Sequence, residues 1–307
     1  MLRRPSRASE PNNVSKHETL QKPPWLRVRL GQGDGPARLR KIIDAHGLHT
    51  VCSEAMCPNL GECWEKGRAT VMILGRFCSR NCRFCSVSSE DPSTPDPGEP
   101  ARVAGAVKEM GLGDVVITSV TRDDIPDGGA SIWAETIARV REAVPGIVLE
   151  ALVPDFAGST GALDTVLEAG PDVLGHNIET VPSLYASARP DADYLRSIRL
   201  IQHAHESGAV SKSAIMLGLG ESRDEVSEVM ADLVEAGCDI FFLGQYLQPT
   251  KEHLPVRRYV PPEEFDEYRR RGLEAGFKVV VSAPLVRSSY HSEEQMEFLE
   301  GRKSAGV

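Results

Sequence analysis

The chain of 307 residues lacks any stretch of about 18 consecutive apolar residues, so no membrane association is expected. The longest apolar runs, at 240–243 and 279–281, have the length of short buried strands. Arg3, Arg4 and Arg7 near the start have no apolar core behind them, which excludes a secretory signal. Glu10 and Glu18 weigh against a mitochondrial transit segment, and a cytoplasmic location is expected. Excess positive charge is lacking too. The net charge of −9 leaves no broad cationic face for a phosphate backbone and argues against a nucleic-acid partner. The deficit is uneven: residues 1–85 hold 15 Lys/Arg against 7 Asp/Glu, the remainder 20 against 37. The basic front reads first as a solvated arm, and second as a surface for an acidic protein substrate or an anionic cofactor.

Cysteine is nearly absent outside one short region. Six of the seven cysteines fall between Cys52 and Cys85, while Cys238 stands apart as an expected small buried hydrophobe. With no sign of export, such clustering excludes a disulfide framework and points to metal.

Residues 1–24 are polar, Pro-bearing and without periodicity, so a disordered arm is expected. Residues 25–67 form a cysteine-bearing extension with one helical stretch at 37–46, ended by Gly47. Between 68 and 275, strand-like runs recur at 71–74, 115–120, 147–153, 173–178, 214–219 and 240–247. Amphipathic, helix-length segments such as 131–144 and 223–236 separate them. Gly111, Gly170 and Gly237 precede three of the runs, where a left-handed cap turns a helix into the next strand. Six β-then-α units imply a parallel sheet with helices outside. Of the two such folds, a doubly wound sheet and a partial TIM-like (β/α)6 barrel, the barrel is the reading adopted, with 276–307 as a C-terminal extension. Either fold puts its chemistry at the carboxyl ends of the strands. Cys78, Thr118, Ser119, Asn177, Glu179 and Glu221 fall there.

Cys78, Cys82 and Cys85 form a C-x3-C-x2-C loop just past the first run. Three thiolates at that spacing can wrap three irons of a [4Fe-4S] cluster and leave the fourth open for a chelating cosubstrate. Structural zinc wants four ligands, and no fourth Cys or His is near. Phe84 could pack on an adenine. Upstream, Cys52, Cys57 and Cys63 form a C-x4-C-x5-C loop that alone would suit zinc or iron–sulfur equally. Beside the other triad, a second cluster is the better reading, and one interleaved zinc site the poorer.

The C-x3-C-x2-C spacing with its aromatic is similar to that of radical S-adenosylmethionine (SAM) enzymes. Both triads together, with PPWLRV (23–28), ITSVTRDDIPDGGA (117–130), GHNIETV (175–181), MLGLGES (216–222) and PLVRSSY (284–290), resemble the lipoyl synthase family. The likeness runs from about Lys22 to Tyr290 and implies two [4Fe-4S] clusters with SAM as cosubstrate. It implies that the cluster on Cys78, Cys82 and Cys85 cleaves SAM to a radical that takes hydrogen from an unactivated carbon. The auxiliary cluster, on Cys52, Cys57, Cys63 and a serine of the Arg-Ser-Ser-Tyr segment, would then give up sulfur, twice, two carbons apart. Ser289 is the expected ligand, with Ser288 the alternative. The implied substrates are octanoyl-lysine groups on lipoyl-carrier domains: the glycine cleavage H protein and the acyltransferase subunits of 2-oxoacid dehydrogenases. A ferredoxin or flavodoxin would supply electrons, and an iron–sulfur carrier would renew the cluster.

Other residues admit a plainer account. Thr118 and Ser119 would bind the methionyl amine of SAM or simply cap their strand. Asn177 and Glu179, two apart, share one face of their run, taken as the barrel lumen. Arg189 and Lys212 are candidates for the methionyl carboxylate, or surface charges. Asp123 and Asp124 are read as a turn, His253 as bonding its neighbours, and Gly218 and Gly220 as no nucleotide fingerprint. Two rivals to lipoyl synthesis remain: another radical sulfur-inserting enzyme such as an RNA methylthiotransferase, which would normally add a basic domain, and a two-cluster electron carrier. A carrier would leave about 220 residues beyond Cys85 unexplained.

Overall fold

The computed structural model describes residues 20–28, 33–66, 68–289 and 293–305. Most of the expected polar arm, residues 1–19, and Tyr290 lie outside them. The apolar runs become strands of one sheet whose order follows the chain, β1 to β8. These are β1 His49–Thr50, β2 Thr70–Ile73, β3 Asp114–Ser119, β4 Val148–Leu152, β5 Val173–Gly175, β6 Val210–Leu217, β7 Ile240–Gln245 and β8 Val279–Ser282. Strands β2 to β8 are parallel and β1 is antiparallel to β2. Sequential parallel order with a helix after each strand is the (β/α) barrel, left open between its first and last strands.

Three short helices precede the barrel: α1 Gly35–Ala45, α2 Val51–Glu54 and α3 Leu60–Glu65. The barrel helices are α4 Glu99–Met110, α5 Ala130–Ala143, α6 Thr160–Glu168, α7 Tyr185–Ala188, α8 Tyr194–Glu206, α9 Arg223–Glu235 and α10 Pro262–Ala275, and α11 Glu293–Ala305 follows β8. Gly111, Gly170 and Gly237 all take left-handed conformations at the helix-to-strand junctions, with φ of 71°, 73° and 78°. β8 adds a seventh parallel strand that the six-unit pattern leaves out; it holds the apolar run at 279–281, which lies within the expected C-terminal extension.

Alternation along the strands sorts two cores. The outer one packs Ile117, Leu149, Leu217 and Phe241 against helix residues such as Trp133 and Val229. The inner one joins Val173, Val210, Ala214, Ile240, Phe242 and Val279 with Met296, Phe298 and Leu299 of α11. Val173, Val210, Ile240 and Val279 begin their strands, so α11 closes the amino end of the barrel. The carboxyl end is left to the cysteine loops. Across its mouth, Asn59 Nδ2 donates to the Leu285 carbonyl at 2.7 Å, joining the segments before and after the barrel.

Candidate active site

The loop that carries the second triad is held by charges on neighbouring strand ends. Beyond β2, Leu74 and Gly75 turn left-handed, and the Glu99 carboxylate accepts both backbone N–H groups at 2.7 and 3.3 Å. Arg122 donates to the Leu74 carbonyl and pairs with Asp124 at 2.8 Å. Arg80, between Cys78 and Cys82, bonds both oxygens of Asp123 at 2.6 and 2.8 Å and Asp155 at 2.6 Å. Burial alone would raise the Asp155 carboxyl, but the Arg80 guanidinium outweighs it and holds that group at about 2. Asp123 and Asp124 thus serve as anchors for arginines. Arg80 was visible inside the cysteine motif, yet Glu99 and Asp155 carry no periodic or spacing signal that would single them out.

Cys78, Cys82 and Cys85 face a cavity of about 230 Å³ at the carboxyl end of the sheet. Phe84, Thr118, Ser119, Asn177, Glu179 and Arg189 line it as well, together with Ser288 and Ser289. Asn177 and Glu179 do reach one space, but from beyond the strand: β5 stops at Gly175, and Glu179 takes a left-handed φ of 69°. Thr118 Oγ1 donates to the Leu152 carbonyl at 2.8 Å, and Ser119 Oγ accepts from Trp133 Nε1 at 3.3 Å, so each hydroxyl also ties its strand in place. Arg189 is buried rather than a surface charge and donates to the carbonyls of Asn177 and Ile178 at 3.0 and 3.1 Å. Its Nε and Asn177 Oδ1 have no partner among the described residues. His253 bonds its neighbours, Thr250 and the Cys85 carbonyl at 2.8 Å.

Lys212 is the residue the sequence misplaces. Its ammonium lies 2.9 Å from Glu150 and 3.0 Å from Gln295 of α11, over the Phe242 ring, and it does not line the cavity. The strand's alternation points it into the lumen, but two residues too near the amino end to meet a ligand at the mouth. Lys212→Met should therefore leave SAM affinity as in the parent while destabilising the fold by about 3–5 kcal/mol, because it strips a buried carboxylate of its cation. Lys212→Met combined with Glu150→Gln should recover most of that. Thermal unfolding and a SAM titration check both parts.

The first triad gathers around a smaller cavity lined by Cys52, Cys57 and Cys63, with Thr70, Arg287 and Ser289. Thr70 and Ser289 line both cavities, so the two triads face one another across a shared wall. Ser289 is reached by the strap that follows β8. Gly244 of β7 lets this strap lie close, since a Cβ there would meet the Val286 carbonyl. Arg287 is buried beside Cys57, and nothing in the sequence beyond its place in the Arg-Ser-Ser-Tyr segment singles it out.

Burial pushes the Cys63 and Cys85 thiols up to about 12 and raises Cys57 and Cys82 as well. Such thiols keep their protons unless a cation replaces them, as in a metal-thiolate site. Among the described residues no group of three His, Cys, Asp or Glu converges tightly enough for one metal ion. A cubane, with irons at separate corners, takes its thiolates from a wider ring. Two thiol triads, each lining a cavity, and the polar side chains of Asn177, Glu179 and Arg189 around the larger one fit two clusters and a polar cosubstrate.

Residues 72–233 match the Radical SAM superfamily. The lipoyl synthase of Chlorobaculum tepidum is 53% identical over 89% of this chain and 95% of its own length. That of Pelodictyon phaeoclathratiforme is 51% identical over 91% and 95%. Among solved structures, methylornithine synthase aligns over 91% of this chain and 90% of its own, with a TM-score of 0.51 and 15% identity. Streptococcus suis SuiB bound to S-adenosylmethionine covers 77% of this chain and 57% of its own, with a TM-score of 0.55 and 13% identity. At those identities the likeness is one of fold.

Proposed function

This chain belongs to the lipoyl synthase family of radical SAM enzymes, and from that premise we propose that it inserts two sulfur atoms into protein-bound octanoyl-lysine in the space between its two cysteine triads. The observation that carries the reading is the wall shared by the two cavities, which puts Ser289 beside both triads. When bound, the clusters and SAM supply one-electron cleavage of a sulfonium, a radical able to break an unactivated C–H bond, and the sulfur itself.

The chain's own residues bind, orient and keep the site dry. Cys78, Cys82 and Cys85 hold one cluster and leave an iron for SAM. Phe84 backs the adenine; Asn177, Glu179 and Arg189, with the backbone around Thr118 and Ser119, receive the methionyl end. The lining of the larger cavity by Asn177, Glu179 and Arg189, together with Cys78, Cys82 and Cys85, supports that assignment. Cys52, Cys57, Cys63 and Ser289 hold the auxiliary cluster. Apolar residues around the larger cavity, Met72, Val120, Leu152 and Val153 among them, would limit water at the reacting carbon once substrate is bound.

Lipoyl-carrier proteins are the substrates of this family's reaction. The glycine cleavage H protein and 2-oxoacid dehydrogenase acyltransferases are proposed here as the carriers, with ferredoxin or flavodoxin as reductant, an iron–sulfur carrier for renewal, and the cytoplasm as location. Among the described residues no helix is long and apolar enough to cross a membrane. The test is conversion of an octanoyl-lysine peptide to its lipoyl form by anaerobically reconstituted protein with SAM and a reductant. Cleavage of SAM without sulfur transfer to that peptide would favour another radical enzyme.

Ser289 offers a sharper result. The Ser289 oxygen would hold a cluster iron less tightly than a thiolate would, which would suit a cluster that serves as a sulfur source. Ser289→Cys should give a more robust auxiliary cluster and lipoyl yields about tenfold lower, and Ser289→Ala a more labile cluster with a similar loss. Deoxyadenosine formation should persist in both. Ser288→Ala should be milder. Iron retention and product yield, measured together, check all three.

A further inference from the structure

A third cavity, of about 70 Å³, opens off the central one: Glu179 and Ser288 line both. Apart from that rim and Arg287 its walls are apolar, made mainly by Ala214 and Met216 of β6, Phe242 of β7 and Val286 of the strap. That is several times the roughly 10–15 Å³ of such space that one water-sized group needs, room for a short run of carbon centres. It is not filled by polar partners, as Ala214 and Phe242 belong to the inner apolar core. Arg287 lines this cavity and the auxiliary one, so all three spaces meet at the strap 286–289.

We propose that this pocket receives the last two carbons of the acyl chain and sets both its length and its register. The inference rests on the lipoyl synthase reading and deepens it. The lipoyl group carries its sulfurs on the terminal carbon and on the carbon two before it. When the inner of these carbons faces the sulfur donor, a two-carbon tail projects beyond the reaction point. When the terminal carbon reacts, no tail remains. One short apolar pocket at that point therefore fills for one insertion and empties for the other. A longer tail meets the Phe242 ring, which is packed under the Lys212 ammonium and cannot swing aside cheaply.

The experiment measures anaerobic calorimetric binding of hexanoyl-, octanoyl- and decanoyl-lysine peptides to the reconstituted holoenzyme, with turnover followed alongside. In the parent, burying two more carbons should make octanoyl bind roughly 15-fold tighter than hexanoyl. Decanoyl should bind no better than hexanoyl. Ala214→Leu fills the pocket and should collapse the octanoyl-to-hexanoyl ratio to about 1. Phe242→Leu enlarges it and should raise decanoyl affinity roughly fivefold or more. Ratios within one preparation are insensitive to a loss of folded protein. If Ala214→Leu keeps the parental ratio, or Phe242→Leu gains nothing with decanoyl, the tail lies elsewhere and the pocket assignment is overturned. If the parent neither binds nor converts octanoyl peptide, the lipoyl synthase reading itself fails, and the pocket assignment with it.

Discussion

Replacing Cys78, Cys82 and Cys85 together by alanine halves the iron of the fully loaded protein, from about eight atoms per chain to about four, and abolishes SAM cleavage. The size of the effect follows from the loop's construction. Arg80 and Asp123, Glu99 with Leu74 and Gly75, and Arg122 with Asp124 fix the loop's backbone without using the cysteines. The variant should therefore keep its fold and lose only the cluster. Since the uncatalysed step has no side-chain substitute, residual activity should be below detection. Iron analysis after anaerobic reconstitution, with chromatography for deoxyadenosine, reads both changes. Tightly bound zinc in the parent, with little iron, would sink the two-cluster assignment.

The complementary triple variant, Cys52, Cys57 and Cys63 to alanine, should also lose about four irons but keep forming deoxyadenosine while making no lipoyl product. Its logic is spatial. This triad lines the smaller cavity and meets the larger one only at Thr70 and Ser289, so its loss leaves the walls around Cys78, Cys82 and Cys85 in place. Sulfur transfer, by contrast, has no other source. Product formation by this variant at even a tenth of the parental yield would make the upstream triad structural and the sulfur-donor assignment wrong.

The cysteine loops and the β-then-α repeat were legible because each rests on short-range information. Metal-binding spacing lies within a dozen residues, and a glycine cap within one turn, which is why Gly111, Gly170 and Gly237 fell where expected. Ser289 is singled out only by likeness to a family, since two serines in a loop have no pattern of their own. Lys212 was misjudged because alternation tells the face of a strand but not the depth along the barrel. Depth depends on the register of β6 against β5, where Lys212 lies opposite Gly175, well below Asn177. Arg80 shows the same limit from the other side: the residue sits inside the motif, yet Asp155, its partner 75 positions away, comes from a different strand end. The two-residue strand β1 has no apolar run of its own and exists through the sheet edge it joins, whereas the run at 279–281 has strand length but falls in the segment taken as an extension.

The bond between Asn59 and Leu285 spans 226 positions, and the order in which the protein is made follows from it. Closing so long a loop has an entropic cost that only a finished barrel offsets. The three cysteines of the radical loop lie within eight residues, just after β2, and can come together while the ribosome is still adding strands. The other site has no complete wall until the strap after β8 has been synthesised and threaded back over the mouth. Assembly is thus staggered in time: the residues around the radical-loop triad are made first, whereas the wall of the upstream cavity is complete only once Arg287 and Ser289 are in place.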